Sequence, residues 1–476
     1  MTRLDVPKSD AIVVGSGPNG LAAAIRLAQA GRSVTVVEAA ETPGGGVRSA
    51  ELTLPGFVHD VCSSVFPMVV CSPYLRTLPL KDHGVDWVFP QIPLAHPFDD
   101  GTAAVMHHSA QETAAGLRAD EAAYQALIGQ MTPRAKELFA SILAPLRLPK
   151  HPFLLAGFGL KGVRSARTLA RSYFRTEPAQ ALFAGIAGHA MLPLEMLTSA
   201  APALALAVAA HAEGWPFARG GSQNLTRALV SLLRSLGGEV ITGCEVQSLD
   251  QLPQARAVLL DVTPRQLLRI AGDRLPSSYR RKLERFRYGM GVFKMDWALS
   301  ESVPWRTPEC RQAGTLHLGG TMDEISRSER TVWQGRISER PFIILAQPTV
   351  SDPSRAPAGK HTAWGYCHVP NGFSGSVVEQ MERQIERFAS GFRDCVLARS
   401  VMSPADFERH NPNLVGGDIA GGAPVPSQLF FRPTASMYRV PAAGVFLCSS
   451  STPPAPGVHG MCGYFAAEAA LASALS

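Results

Sequence analysis

The stretch that decides the fold is DAIVVGSGPNGLAAAIRLAQAGRSVTVVEAAETPGGGVRS, from Asp10 to Ser49. Ala11–Val14 is a short apolar run stopped at once by glycine, the pattern of a buried strand. Gly15, Gly17 and Gly20 then complete a G-x-G-x-x-G, and the Ala/Leu-rich residues 21–30 read as a helix that Gly31 closes. A second strand, 33–37, delivers Glu38 eighteen residues after Gly20. Each part has a physical task. Gly15 makes the tight turn, Gly17 lets backbone approach a pyrophosphate, and Gly20 lets helix and strand pack closely. The helix N-terminus offers free N–H groups and partial positive charge to phosphate. Glu38 accepts ribose hydroxyls and disfavours a 2′-phosphate. The chain is expected to bind a dinucleotide through an adenosine half.

Directly downstream comes GGGVRS at 44–49. Gly44, Gly45 and Gly46 allow another close backbone approach, and Arg48 can meet phosphate oxygens with a bidentate fork. This series resembles the FAD-dependent oxidoreductases of the phytoene-desaturase and amine-oxidase type. The resemblance returns in FLCSSSTPP (446–454) and GVHGMCG (457–463), similar to the flavin-contacting segment of the phytoene-desaturase-like branch. It continues in NPNLVGGD (411–418), whose glycines run on to Gly422.

The resemblance implies an α/β, two-domain flavoprotein. Its Rossmann-like FAD domain, a parallel sheet with helices, would be discontinuous over 1–75, 215–275 and 420–476. An interleaved α+β substrate domain would take 76–214 and 276–419. Non-covalent FAD would be held by Gly15, Gly17, Gly20, Glu38, Gly45, Gly46 and Arg48, with the backbone of Val246 against the adenine. Thr452, Gly457, Val458, Gly460 and Met461 would serve the flavin end, where a helix N-terminus can stabilise negative charge at the N1–C2 edge. Ser450 adds a hydroxyl beside Thr452. The ribityl-binding acid of many relatives is not evident, because serines occupy 449–451. A further departure is Ala455-Pro456, where relatives carry glycines; proline there stiffens the turn and removes a donor.

Bulk composition excludes several classes of function. Lys and Arg exceed Asp and Glu by only 45 to 39, and no aromatic-basic interleaving supports nucleic-acid binding. Eight cysteines are scattered without a C-x-x-C, as reduced intracellular thiols would be. Nine residues before the first strand leave no room for a signal peptide, so a cytoplasmic protein is expected. His107-His108 lacks a carboxylate or cysteine at ligand spacing, and no metal is expected.

The remaining segments bear on the substrate. Residues 110–130 read as an Ala-rich helix, and 182–212 as nearly uncharged helices walling an apolar cavity, Pro193, Pro202 and Glu195 arguing against a membrane span. PFLLAGFGL (152–160), flanked by Lys150, Lys161, Arg164, Arg167, Arg171 and Arg175, reads either as a monotopic membrane helix or as a substrate-domain helix with a solvated basic face. Glu239 to Thr242 and Val246 read as strands. Residues 292–299, 342–346 and 362–368 suggest a sheet flooring the cavity, lined by Met295, Trp297 and Trp364 or packing them in its core.

With FAD present the hard chemistry belongs to the cofactor. His459, titratable within the flavin segment, is the weak catalytic candidate, and His59 and Asp60 are candidates for lining the site. Cys448 and Cys462 are the cysteines of the flavin segments, and covalent attachment through them is not expected. The expected function is hydride transfer between FAD and a small apolar substrate, polyene- or isoprenoid-like or another secondary metabolite, in desaturation, saturation or isomerisation. Amine oxidation and a non-catalytic FAD-holding role are the alternatives. Substrate, electron acceptor, membrane contact and oligomeric state stay open.

Overall fold

In the computed structural model the described residues are 4–429, 431–454 and 456–476. Ala455, half of the departure noted above, lies outside them. The strands of the two main sheets are, in chain order, β1 (Ala11–Val14), β2 (Val34–Val37), β3 (Ile92–Pro97), β4 (Ala103–Met106), β5 (Glu239–Ile241), β6 (Ala257–Leu260), β7 (Gly291–Leu299), β8 (Ala313–Leu318), β9 (Ile343–Ala346), β10 (His361–Val369), β11 (Val396–Met402) and β12 (Val445–Leu447). The helices used below are α1 (Pro18–Gln29), α2 (Ala135–Ile142), α3 (Pro152–Gly162), α4 (Glu177–Gly188), α5 (Ala200–Ala212), α6 (Gln223–Ser235), α7 (Met322–Trp333) and α8 (Met461–Leu471).

The first sheet is fully parallel, in the order β12-β6-β1-β2-β5. Its strands come from the three segments assigned to the FAD domain. β1 and β2 are buried along their whole length, as their unbroken apolar runs require once helices cover both faces. Val14 stands in register with Val37 and Leu260, so Gly15, Glu38 and Asp261 leave the sheet together at its C-terminal edge. Ligands of open α/β sheets bind at this edge. α6 and α8 pack on α1, and α8 comes so close that a Cβ at Gly463 would run into the Asn19 carbonyl.

The second sheet runs β11-β7-β10-β9-β8-β3-β4 and is antiparallel except between β8 and β3. The three strands expected to floor a cavity, β7, β9 and β10, are neighbours in it. Register lays two rows across one face: Thr315, Ala346, Trp364, Asp296, and beside it His317, Ile344, Tyr366, Lys294. The other face, with Phe293, Met295, Trp297, Leu316 and Leu345, closes a separate core. Met295 and Trp297 are therefore core residues, because strand side chains alternate and theirs share the odd-numbered face of β7. Trp364 is on the cavity face.

Two local readings are corrected. The 110–130 helix is broken into Ala110–Gly116, Glu121–Tyr124 and a π-turn at Gln125–Gly129. β5 ends at Ile241, and Val246 belongs to the loop beyond it. Residues 182–212 fold as α4 and α5 around an irregular link in which Met191 and Thr198 take positive φ. Among the described residues no helix is long and apolar enough to cross a membrane.

Candidate functional site

A cleft crosses the C-terminal edge of the parallel sheet. Gly15, Gly17, Glu38, Gly45, Gly46, Arg48 and Val246 line it, with Gly457 and Val458 at its far end. The two glycine clusters meet here, since a Cβ at Gly45 would stand 3.1 Å from the Gly17 Cα. A Cβ at Gly17 would stand 2.7 Å from Asp261 Oδ2. Glu38 is held in place. The Ser16 N–H and hydroxyl donate to its Oε2 at 2.8 and 2.5 Å, and the Ala40 N–H to its Oε1 at 2.9 Å. The Gly44 N–H donates to Ser16 Oγ at 3.1 Å, tying the second cluster to the first. Arg48 lies 3.5 Å from Glu38, and its buried Nε has no hydrogen-bond partner among the described residues.

These features fit FAD. The glycines leave a cradle that any Cβ would fill, an acid stands at the end of β2, where the resemblance expects a ribose, and a buried guanidinium keeps an unused donor. Sequence reasoning missed one cleft residue, Asp261. Its Oδ2 accepts the Gly20 N–H at 3.0 Å. Burial pushes its carboxyl up to about 7, the Gly20 N–H opposing and Glu38 adding to the rise.

At its far end the cleft joins a second, larger cavity of about 920 Å³. Cys62, Ser63, Ile419, Gly457 and Val458 line both and mark the junction. The floor is the sheet face bearing Thr315, Ile344, Ala346, Trp364 and Tyr366, and the walls come from α2, α3 and α5. Lys294 also lines this cavity although 1% exposed. Its ammonium pairs with Asp296 and lies 5.6 Å from the Trp364 ring centroid. Burial pushes the Asp296 carboxyl up to about 6 against the pull of Lys294. Burial also pushes the Cys62 thiol up to about 12, opposed by Lys294 and Arg48, so both cations act at the junction.

Several expected site residues stand elsewhere. Gly20 packs helix on strand, where a Cβ would strike the Gly15 carbonyl. The Thr452 hydroxyl is buried and donates to the Ser449 carbonyl at 2.8 Å, whereas Ser449, Ser450 and Ser451 line the cleft. Gly460 is the left-handed residue before α8, and the Met461 N–H donates to His459 Nδ1 at 3.0 Å. His459 is fully buried against Gly457 and lines neither cavity. His59 and Asp60 line neither cavity. Asp60 accepts the Ser222 N–H at 2.7 Å and pairs with the buried Arg355, a structural hub. His59 lies 3.6 Å from Asp296, burial and then Lys294 pushing its imidazole down to about 3. Cys448 and Cys462 do not line the cleft; Cys62 and Cys244 do. Asn411, Pro412, Asn413 and Leu414 line it, as the resemblance implied.

Residues 19–274 match the family described as flavin containing amine oxidoreductase. The chain is 25% identical to rat (Rattus norvegicus) pyridine nucleotide-disulfide oxidoreductase domain-containing protein 2, over 97% of this chain and 93% of that protein. It is 27% identical to phytoene dehydrogenase of Streptomyces griseus, over 84% of this chain and 79% of that one. An oxidoreductase from Methanosarcina mazei shares the fold at a TM-score of 0.65 and 16% identity, covering 97% of this chain and all of that one.

Proposed function

Because this chain belongs to the flavin containing amine oxidoreductase family, we propose that it desaturates, saturates or isomerises an apolar, polyene- or isoprenoid-like molecule by hydride exchange with bound FAD. That it is an FAD-dependent oxidoreductase rests on the family match and the desaturase relatives. The substrate class rests on one observation, the large apolar cavity that opens directly onto the cleft. A protonated amine would need a counter-charge there. The one carboxylate among the lining residues is Glu137, on α2 and not on the floor, and Asp296 is already paired with Lys294.

The chain's own residues divide the work. The cleft orients the cofactor through backbone, and the apolar walls exclude water from the junction. Lys294 lines the cavity and its partner Asp296 does not, so the pair presents its cationic end there, a dipole that favours any negative charge that develops. The test is anaerobic and uses FAD-loaded protein. Phytoene should bleach the oxidised flavin, or lycopene should reoxidise the dithionite-reduced flavin. Bleaching by putrescine or benzylamine with no response to either polyene would overturn the reading.

The mouth supports delivery from a bilayer. α3 turns Leu155, Phe158 and Gly159 toward the cavity, while Phe153 and Leu160 are 90% and 75% exposed on its outer side. Leu148, 95% exposed, and the exposed Arg147 and Lys150 adjoin them. Apolar side chains ringed by basic ones suit an anionic membrane surface. In liposome flotation the protein should bind phosphatidylserine-containing vesicles at low salt and release as salt rises. Changing Leu148 and Phe153 to glutamate should abolish flotation, and failure of the unaltered protein to float would refute docking.

A further inference from the structure

Two uncharged polar groups on the cavity floor have no protein partner for their open hydrogen-bonding atoms. Tyr366 lies on β10 and is half-buried in the cavity wall; its hydroxyl makes no hydrogen bond among the described residues, yet is not sealed. His189 follows α4 and also lines the cavity, half-buried. Its Nε2 meets Nε2 of the fully buried His317 at 3.0 Å, and its Nδ1 is left open on the cavity side. The two groups are neighbours through the sheet: His317, Ile344 and Tyr366 form one cross-strand row, and Ile344 lines the cavity between them.

The tautomer follows from the partners. His317 Nδ1 is buried with nothing to bond. A lone pair there costs less than an orphaned N–H, so His317 carries its proton on Nε2 and donates it to His189. His189 then holds its own proton on Nδ1, facing the cavity. Burial pushes its imidazole down to about 3, and burial raises the Tyr366 phenol above its ordinary value, so both groups stay neutral donors.

We propose that the Tyr366 hydroxyl and His189 Nδ1–H form a subsite for a neutral oxygen acceptor, a carbonyl or hydroxyl carried by an otherwise apolar substrate. This rests on the apolar-cavity reading and narrows it. A pure hydrocarbon such as phytoene or lycopene can occupy the cavity but dehydrates both donors and returns nothing, at a cost of order 1–3 kcal/mol each, so an oxygen-bearing ligand of the same length binds more tightly. A carboxylate would bring an uncompensated charge to a floor whose cation, Lys294, is already paired, the other lining cations, Lys136, Arg147 and Lys150, being exposed to solvent. The ligand that uses this floor fully is apolar along its length and carries one or more uncharged oxygens.

The test uses the FAD-loaded protein and a matched pair of probes, 2-tridecanone and n-tridecane, titrated against the flavin absorbance spectrum. Tyr366→Phe should weaken the ketone about fivefold, corresponding to about 1 kcal/mol for one hydrogen bond, and should leave the alkane as tightly bound or bind it more tightly, since that donor is no longer dehydrated. His189→Phe should do the same, and carries the test if Tyr366→Phe loses FAD. Equal effects on both probes, or no effect on either, would overturn the subsite while leaving the apolar cavity intact. If neither probe binds the unaltered protein, the cavity reading falls first and the subsite with it.

Discussion

The parallel sheet offers its ligand backbone, whereas the mixed sheet offers side chains. In the cleft, Gly15, Gly17 and Gly45 matter because they have no side chain, and Glu38 is locked by bonds to its near neighbours Ser16 and Ala40. In the cavity, Lys294, Tyr366 and His189 are brought together only by strand register and by the end of α4. A site built from backbone tolerates few substitutions and holds one kind of ligand. A site built from side chains on a sheet face can change its substrate one residue at a time.

The largest effect should come from breaking the first kind of site. Glu38→Arg puts a cation at the ribose position and strips Ser16 and Ala40 of their acceptor. FAD affinity should fall by about a hundredfold or more, two or three charge-assisted hydrogen bonds being lost. The measurement is the flavin-to-protein ratio after gel filtration, and stoichiometric FAD would remove Glu38 from the site.

Next comes the buried pair of the second kind. Lys294→Met leaves the Asp296 carboxylate buried without its cation, which costs about 3 kcal/mol of stability. Pairing it with Asp296→Leu should restore stability to within about 1 kcal/mol without restoring the rate of flavin reduction. Denaturant melts and stopped-flow absorbance separate the two quantities. A double variant that recovers both would make Lys294 purely structural.

The smallest effect is a pH dependence confined to the cleft. The Asp261 carboxyl is neutral below about pH 7 and charged above it. A phosphate at the α1 N-terminus favours the neutral form, so FAD affinity should fall as pH rises through 7, by up to about tenfold between pH 6 and 8. Asp261→Asn should flatten that slope. A slope that survives the substitution would assign it to another group.

The same contrast explains what could be read in advance. Strand, glycine loop, helix and acid lie within forty residues, so chain order alone placed Gly15, Gly17, Glu38 and Arg48. β7, β9 and β10 were recognisable as apolar runs, but a run buried on both faces does not say which face sees the cavity. Lys294 and Asp296 carried a usable signal, since two opposite charges two apart in a nine-residue buried strand must share a face. Tyr366 and His189 carried none, being neighbours only through pairing. Thr452 and Met461 were read as donors to the flavin because hydroxyls and helix N-termini donate, yet local acceptors at Ser449 and His459 satisfy them first.

The close seat of Gly463 against Asn19 has a consequence for biosynthesis. The loop and helix that open the nucleotide site emerge from the ribosome more than four hundred residues before β12, which ends the sheet, and α8, which packs on α1. At about 5–20 residues per second, tens of seconds separate the two. Throughout that interval the part of α1 that α6 and the sheet leave open has no partner, so the nucleotide site is completed late in synthesis.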